Sequence, residues 1–166
     1  YINWEFLSEE DYKFKQIDNF KSDWVWIIDP LDGTRDFINQ SGEYASHIAL
    51  AYKKKIVIAS VIVPSREELW IYMEGKGSWC ENFIKNRIKF PLVEKKENKN
   101  EITIVKSRSH THEQLENLLS KLNPKKVIGM GSVGYKITSM IRGEANLYIS
   151  YSCLLYTSDA ADEQQR

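Results

Sequence analysis

The chain has 166 residues, with 23 Lys and Arg balanced by 23 Asp and Glu, 42% hydrophobic residues and 28% charged ones. That balance excludes a disordered chain, predicts a folded globular protein with a sizeable core, and gives no electrostatic reason to expect a nucleic-acid or anionic-membrane partner. Two cysteines, Cys80 and Cys153, lack CxxC spacing and point to a reduced, cytoplasmic setting, and no apolar stretch approaches the roughly 20 residues that span a bilayer.

The chain opens without methionine, mid-pattern at YINWEF, as expected of a piece of a longer protein. Residues 24–28 (WVWII) are apolar throughout and predict a strand buried on both faces. Residues 46–52 and 56–63 read as two strands joined by a solvated turn at Lys53, Lys54 and Lys55. Residues 69–73 read as another strand, closed by a glycine turn at EGKGSW. Together these predict an antiparallel meander. The segment 85–100 is rich in lysine and asparagine, and its second half reads as a linker or exposed crossover.

Elements of alternating type follow. Residues 102–105 predict a strand. THEQLENLLSKL (111–122) places Leu115, Leu118, Leu119 and Leu122 on one helical face, with Thr111 and Gln114 spaced as a capping box and Asn123-Pro124 as its stop. Residues 127–130 predict a short strand, and GSV opens a second helix with Val133, Ile137 and Ile141 on one face and Gly143 as its C-terminal cap. Residues 145–149 predict a last strand. The expected class is mixed α/β (α+β), a layered fold in which the meander precedes a βαβαβ half. The tail at 153–166, CLLYTSDAADEQQR, fits neither pattern and is set aside as non-native.

The apolar run at 24–28 ends in DPLDGT. Two carboxylates, Asp29 and Asp32, at the end of a strand repel one another unless something positive lies between them. Hard divalent cations such as Mg²⁺ take oxygen ligands, so Asp29 and Asp32 read as metal ligands with the Leu31 carbonyl as a third oxygen. Gly33 and Thr34 follow at the first turn of a short helix, where open backbone N–H groups suit a phosphate and the Thr34 hydroxyl can orient a water. The bland alternative is an ordinary Asp-Gly turn in which Asp32 caps a helix. Haloacid-dehalogenase-like chemistry needs its two aspartates two apart, and the first would fall on Pro30. His47, in a strand beside apolar neighbours, reads as a satisfied core histidine, and Lys136 as a solvated helical lysine.

DPLDGT after an apolar run and before Phe37 resembles the signature of the lithium-sensitive, magnesium-dependent inositol monophosphatase superfamily. FLSEED (6–11) is similar to that family's upstream acidic loop. VKSRSHTHEQLENLL (105–119), GSVGYK (131–136) and RGEANLYIS resemble segments of its 3'(2'),5'-bisphosphate nucleotidase branch. The resemblance implies a sugar-phosphatase-like fold with a metal-binding part at 1–95 and a nucleotide-contacting part at 96–152. It implies that Glu9, Asp29, the Leu31 carbonyl and Asp32 hold Mg²⁺, and that Gly33 and Thr34 bind the scissile phosphate, Thr34 helping to activate water. Ser107, His110, Ser132 and Lys136 would contact the nucleotide or its second phosphate, with Glu9, Leu31 and Asp32 also near substrate.

The implied activity is hydrolysis of the 3'-phosphate of adenosine 3',5'-bisphosphate to AMP and phosphate, on a small-molecule substrate; a homodimer is compatible with it. An inositol or sugar monophosphatase, and a non-catalytic phospholigand-binding module, stay open as alternatives. The family also uses an aspartate from an upstream helical hairpin and another from a downstream Trp-Asp-x-Ala-Ala stretch. Neither matches this sequence, so the isolated chain is expected to bind metal weakly and to be inactive.

Overall fold

The computed structural model describes residues 3–9, 20–82, 86–88, 102–108 and 113–150. Period-two alternation and tight turns shape the first half. Its elements are β1 (Trp4–Ser8), β2 (Trp24–Asp32), a short α1 (Thr34–Ile38), β3 (Ala45–Tyr52), β4 (Lys55–Val63), β5 (Glu68–Met73), β6 (Gly77–Asn82) and β7 (Asn86–Ile88). They form one seven-stranded sheet in chain order. β1 runs parallel to β2, pairing Ser8 with Ile28, and every later neighbour is antiparallel. Lys53 and Lys54 turn the β3–β4 hairpin with φ of 49° and 65°, a left-handed pair whose twist suits a tight hairpin.

The second half is β8 (Thr103–Ser107), α2 (Glu113–Leu122), β9 (Lys126–Met130), α3 (Val133–Ile141) and β10 (Leu147–Ile149). Its strands make a parallel sheet in the order β10-β8-β9. The predicted mixed α/β class, meander followed by βαβαβ, is therefore the observed one. Contacts divide the chain into two units, Tyr1–Pro91 with Ser132–Tyr135, and Leu92–Gly131 with Lys136–Arg166. The division falls inside α3, whose first residues belong with the seven-stranded sheet.

In the first unit Ala45, Val63, Trp70 and Cys80 are buried together, with Val61 and Tyr135 packed on them. Cys80 is a free thiol whose pKa burial pushes up, which makes it a packing residue and not a nucleophile. In the second unit Ile104, Leu115 and Leu119 form the core. Gly143 closes α3 as expected: its φ is 80°, its N–H donates to Met140 O at 2.8 Å, and the Glu144 N–H donates to Ser139 O at 3.0 Å, the paired bonds of a Schellman motif.

Several expectations are corrected. GSW is no turn: the turn ends at Lys76, and Gly77–Asn82 is strand β6, paired residue for residue with β5. β2 is not buried on both faces, and Ile27 is 37% exposed. Its aromatics instead pack within the sheet, Trp24 lying 5.5 Å from Trp4 and 4.5 Å from Tyr52 between ring centroids. Leu122 is exposed at the end of α2. Val133, Ile137 and Ile141 are exposed, and α3 buries Ser132, Lys136, Thr138 and Ser139 instead. Capping residues at 111–112 and the tail at 153–166 lie outside the described residues. Among the described residues no helix is long and apolar enough to cross a membrane.

Ile104 tests the second unit's core. It is fully buried, so Ile104→Ala is expected to lower unfolding free energy by about 3 kcal/mol in urea titration. A loss below about 1 kcal/mol would contradict this packing.

Candidate functional site

The DPLDGT stretch occupies the end of β2 and its exit. Pairing with β3 slips between Asp29 and Asp32, which aims successive side chains away from strict alternation. Local bonds hold the irregular backbone: the Leu31 N–H donates to Asp29 Oδ1 at 3.1 Å, Ser46 Oγ donates to Pro30 O at 2.7 Å, and Thr34 Oγ1 donates to Leu31 O at 3.3 Å. Gly33 has φ of 92° and leads into α1, where the Phe37 N–H bonds Gly33 O at 2.9 Å.

Glu9 follows β1, its N–H donating to Ile28 O at 3.1 Å, so parallel pairing carries it beside Asp29. Glu9, Asp29 and His47 line one cavity of about 600 Å³ in the first unit. Asp32, at the end of the same strand, has one carboxylate oxygen engaged by the protein. Its Oδ2 accepts from His47 Nε2 at 3.0 Å, Ser132 Oγ at 2.7 Å and the Gly134 N–H at 2.7 Å. Ser132 Oγ in turn accepts the Tyr135 N–H at 3.0 Å, making Ser132 the N-cap of α3. The bland reading of Asp32 as a helix cap thus holds in an unforeseen form: the helix is α3, a hundred residues on, while α1 is preceded by Gly33 with no side-chain cap.

Burial pushes the Asp32 pKa up, but bonds from His47, the Gly134 N–H, Ser132 and the Val133 N–H outweigh it and lower the pKa from 3.8 to about 2. Asp32 is therefore an anion at neutral pH, held at the positive end of a helix. Glycine is required at both contacts. A Cβ on Gly33 would lie 3.0 Å from Ser132 Cβ and 3.1 Å from Glu43 O; one on Gly134 would lie 2.5 Å from His47 Nε2 and 2.9 Å from Ala45 Cβ.

The predicted residues are thus only partly gathered. Asp29, Leu31, Asp32, Gly33 and Thr34 share one turn, Glu9 stands beside it, and Ser132 joins through Asp32, its hydroxyl engaged with that carboxylate and the helix end. Ser107 ends β8 opposite Met130 in the second unit. Lys136 belongs to that unit too; far from being solvated, it is buried, its Nζ donating to Gly131 O at 2.8 Å and lying 5.0 Å from the Tyr148 ring centroid. His110 lies outside the described residues. Among the described residues no three acidic, histidine or cysteine side chains stand close enough to hold a metal ion. The donors are nonetheless those a hard cation uses: two carboxylates on one cavity, a third beside them that stays ionised, and a backbone carbonyl. Sequence reasoning missed the contacts of His47 and Gly134, because neither the β2–β3 register nor the docking of α3 can be read from local pattern.

These features define a class. The chain belongs to the inositol monophosphatase family, whose sequence profile matches residues 2–161. Among curated relatives it is similar to the 3'(2'),5'-bisphosphate nucleotidase CysQ of Salmonella typhimurium, 32% identical over 149 residues that cover 86% of this chain and 54% of the relative. Among solved structures it is similar to CysQ from Bacteroides thetaiotaomicron, with 28% identity, a TM-score of 0.67, and coverage of 87% of this chain and 58% of that one. It also shares the fold of an IMPase/NADP phosphatase complexed with Mg²⁺ and phosphate, with 19% identity, a TM-score of 0.70, and coverage of 88% and 52%. The chain spans about half the length of the curated relatives it matches.

Two tests address the turn. Because the folded-state pKa of Asp32 is depressed, its stabilisation is present above pH 4 and lost as pH falls toward 2. Wild type should lose about 1–2 kcal/mol across that window, after discounting for solvent screening, that Asp32→Asn does not lose. Parallel acid limbs would contradict the assignment. Gly33→Ala should cost at least about 1 kcal/mol in thermal or urea unfolding, and a neutral result would show that the turn is not wedged against Ser132.

Proposed function

We propose that this chain belongs to a magnesium-dependent phosphatase that hydrolyses the 3'-phosphate of adenosine 3',5'-bisphosphate, giving AMP and phosphate. The observation that carries the reading is the DPLDGT turn, which sets Glu9 and Asp29 on one cavity and keeps Asp32 ionised beside it. The likeness to CysQ, named a bisphosphate nucleotidase, favours the nucleotide branch over an inositol or sugar monophosphatase, and a structure of the same fold holds Mg²⁺ and phosphate.

Glu9, Asp29, the Leu31 carbonyl and Asp32 would hold the magnesium. When bound it supplies Lewis-acid stabilisation of charge on the phosphoryl group and makes water a better nucleophile at neutral pH. The chain's own residues do the rest. Gly33 and Thr34 are assigned to the scissile phosphate, at a glycine that permits close approach to the backbone. Thr34 Oγ1, with its proton directed at Leu31 O, turns its lone pairs outward to accept from and orient the attacking water. Ser132 acts by holding Asp32, whereas Ser107, His110 and Lys136 are assigned to the nucleotide on resemblance.

The protein expressed from its uninterrupted reading frame should release phosphate from adenosine 3',5'-bisphosphate in Mg²⁺, faster than from inositol monophosphate, and lose that activity with EDTA. Thr34→Ala should lower kcat by about 100-fold with folding retained. Lys136→Ala, checked for folding by circular dichroism, should slow the bisphosphate more than a monophosphate. No turnover of any phosphomonoester in magnesium would end the proposal.

A further inference from the structure

Three observations converge on His47. It is the cross-strand partner of Asp29 in the β2–β3 register. Its Nε2 lies 3.0 Å from Asp32 Oδ2. Gly134 faces it so closely that a methyl group there would sit 2.5 Å from Nε2 and 2.7 Å from Cε1. One imidazole is therefore the cross-strand neighbour of Asp29 and the hydrogen-bond partner of Asp32, on the cavity that Glu9 and Asp29 line. Asp32 is an ionised carboxylate and can only accept, so the proton of this bond belongs to His47 Nε2.

A carboxylate rotates about its last torsion and can present either oxygen, or both, to a cation. Three donors on Oδ2 remove that freedom. Ser132 and Gly134 reach Asp32 from the end of α3, and His47 reaches it from β3, within the sheet that carries Asp29. His47 is thus the donor that ties the orientation of Asp32 to the strand pair itself.

We propose that His47 is a positioning residue: by donating Nε2–H to Asp32 it fixes the carboxylate orientation in which Asp32 joins Asp29 in holding a divalent cation. The inference rests on the phosphatase reading and adds a residue to it. His47 touches neither substrate nor reacting atoms; it acts through Asp32. Hydrogen-bond partners of ligating groups commonly contribute about 10–100-fold to metal affinity.

The test uses the protein expressed from its uninterrupted reading frame and Mn²⁺ alone as probe, with free Mn²⁺ measured by electron paramagnetic resonance. His47→Leu, which removes the donor at similar volume, should weaken Mn²⁺ affinity by about 10-fold and raise the Mg²⁺ needed for half-maximal phosphate release by a similar factor, leaving KM for the nucleotide unchanged. His47→Gln, which restores an N–H donor, should recover most of the affinity, a rescue that general loss of packing would not give. A second readout is spectroscopic: the imidazole signals that ¹⁵N-histidine spectra of the wild type lose on His47→Gln, and so belong to His47, should show the Nε2–H tautomer. An Nδ1–H tautomer, or Mn²⁺ affinity unmoved in a folded His47→Leu protein, would overturn the role of His47 alone. A wild-type protein that binds no Mn²⁺ would overturn the phosphatase reading and this role with it.

Discussion

One carboxylate oxygen organises the first unit. Asp32 Oδ2 takes hydrogen bonds from β3, from the Ser132 hydroxyl and from the first turn of α3, joining residues that lie 15, 100 and 102 positions apart. Removing such a group from water costs several kcal/mol. Each charge-assisted bond returns about 1.5–3 kcal/mol, and the helix end adds its dipole. The balance falls on the side of the anion, as the lowered pKa of Asp32 shows. A neutral side chain would lose the charge term.

The rest of the local structure follows from bringing a helix end that close. Gly33 and Gly134 each face atoms that a side chain would strike. The Ser132 N–H donates to Glu43 O at 3.1 Å, fixing the α3 entry against the loop before β3. At that entry Ser132 and Gly134 are buried and Val133 is exposed. The same arrangement that steadies the turn keeps a carboxylate ionised at the end of the strand that carries Asp29.

What the sequence made legible was local. The hairpin at Lys53 and Lys54, the βαβαβ order, the Gly143 cap and the significance of DPLDGT all reside in residues close together along the chain. The burial of α3 did not: hydrophobic periodicity chose Val133, Ile137 and Ile141, which are exposed, while Lys136, Thr138 and Ser139 are buried. Strand β6 was obscured because glycine and serine open it, and its pairing with β5 is a tertiary fact. Asp32 shows the limit most clearly. Its spacing from Asp29 marked it as a candidate metal ligand, yet its protein partners lie at 47, 132 and 134, and no window on the sequence places those residues together. His47 read as an ordinary strand histidine for the same reason.

The claim beneath all this is that Asp32 and the entry of α3 are energetically one feature. A double-mutant cycle with Asp32→Asn and Ser132→Ala, measured by chemical denaturation at neutral pH, tests it most directly. The account predicts a coupling of about 1–3 kcal/mol between the two positions. Losses that add to within about 0.5 kcal/mol would mean the carboxylate and the helix cap are merely neighbours, and would contradict it.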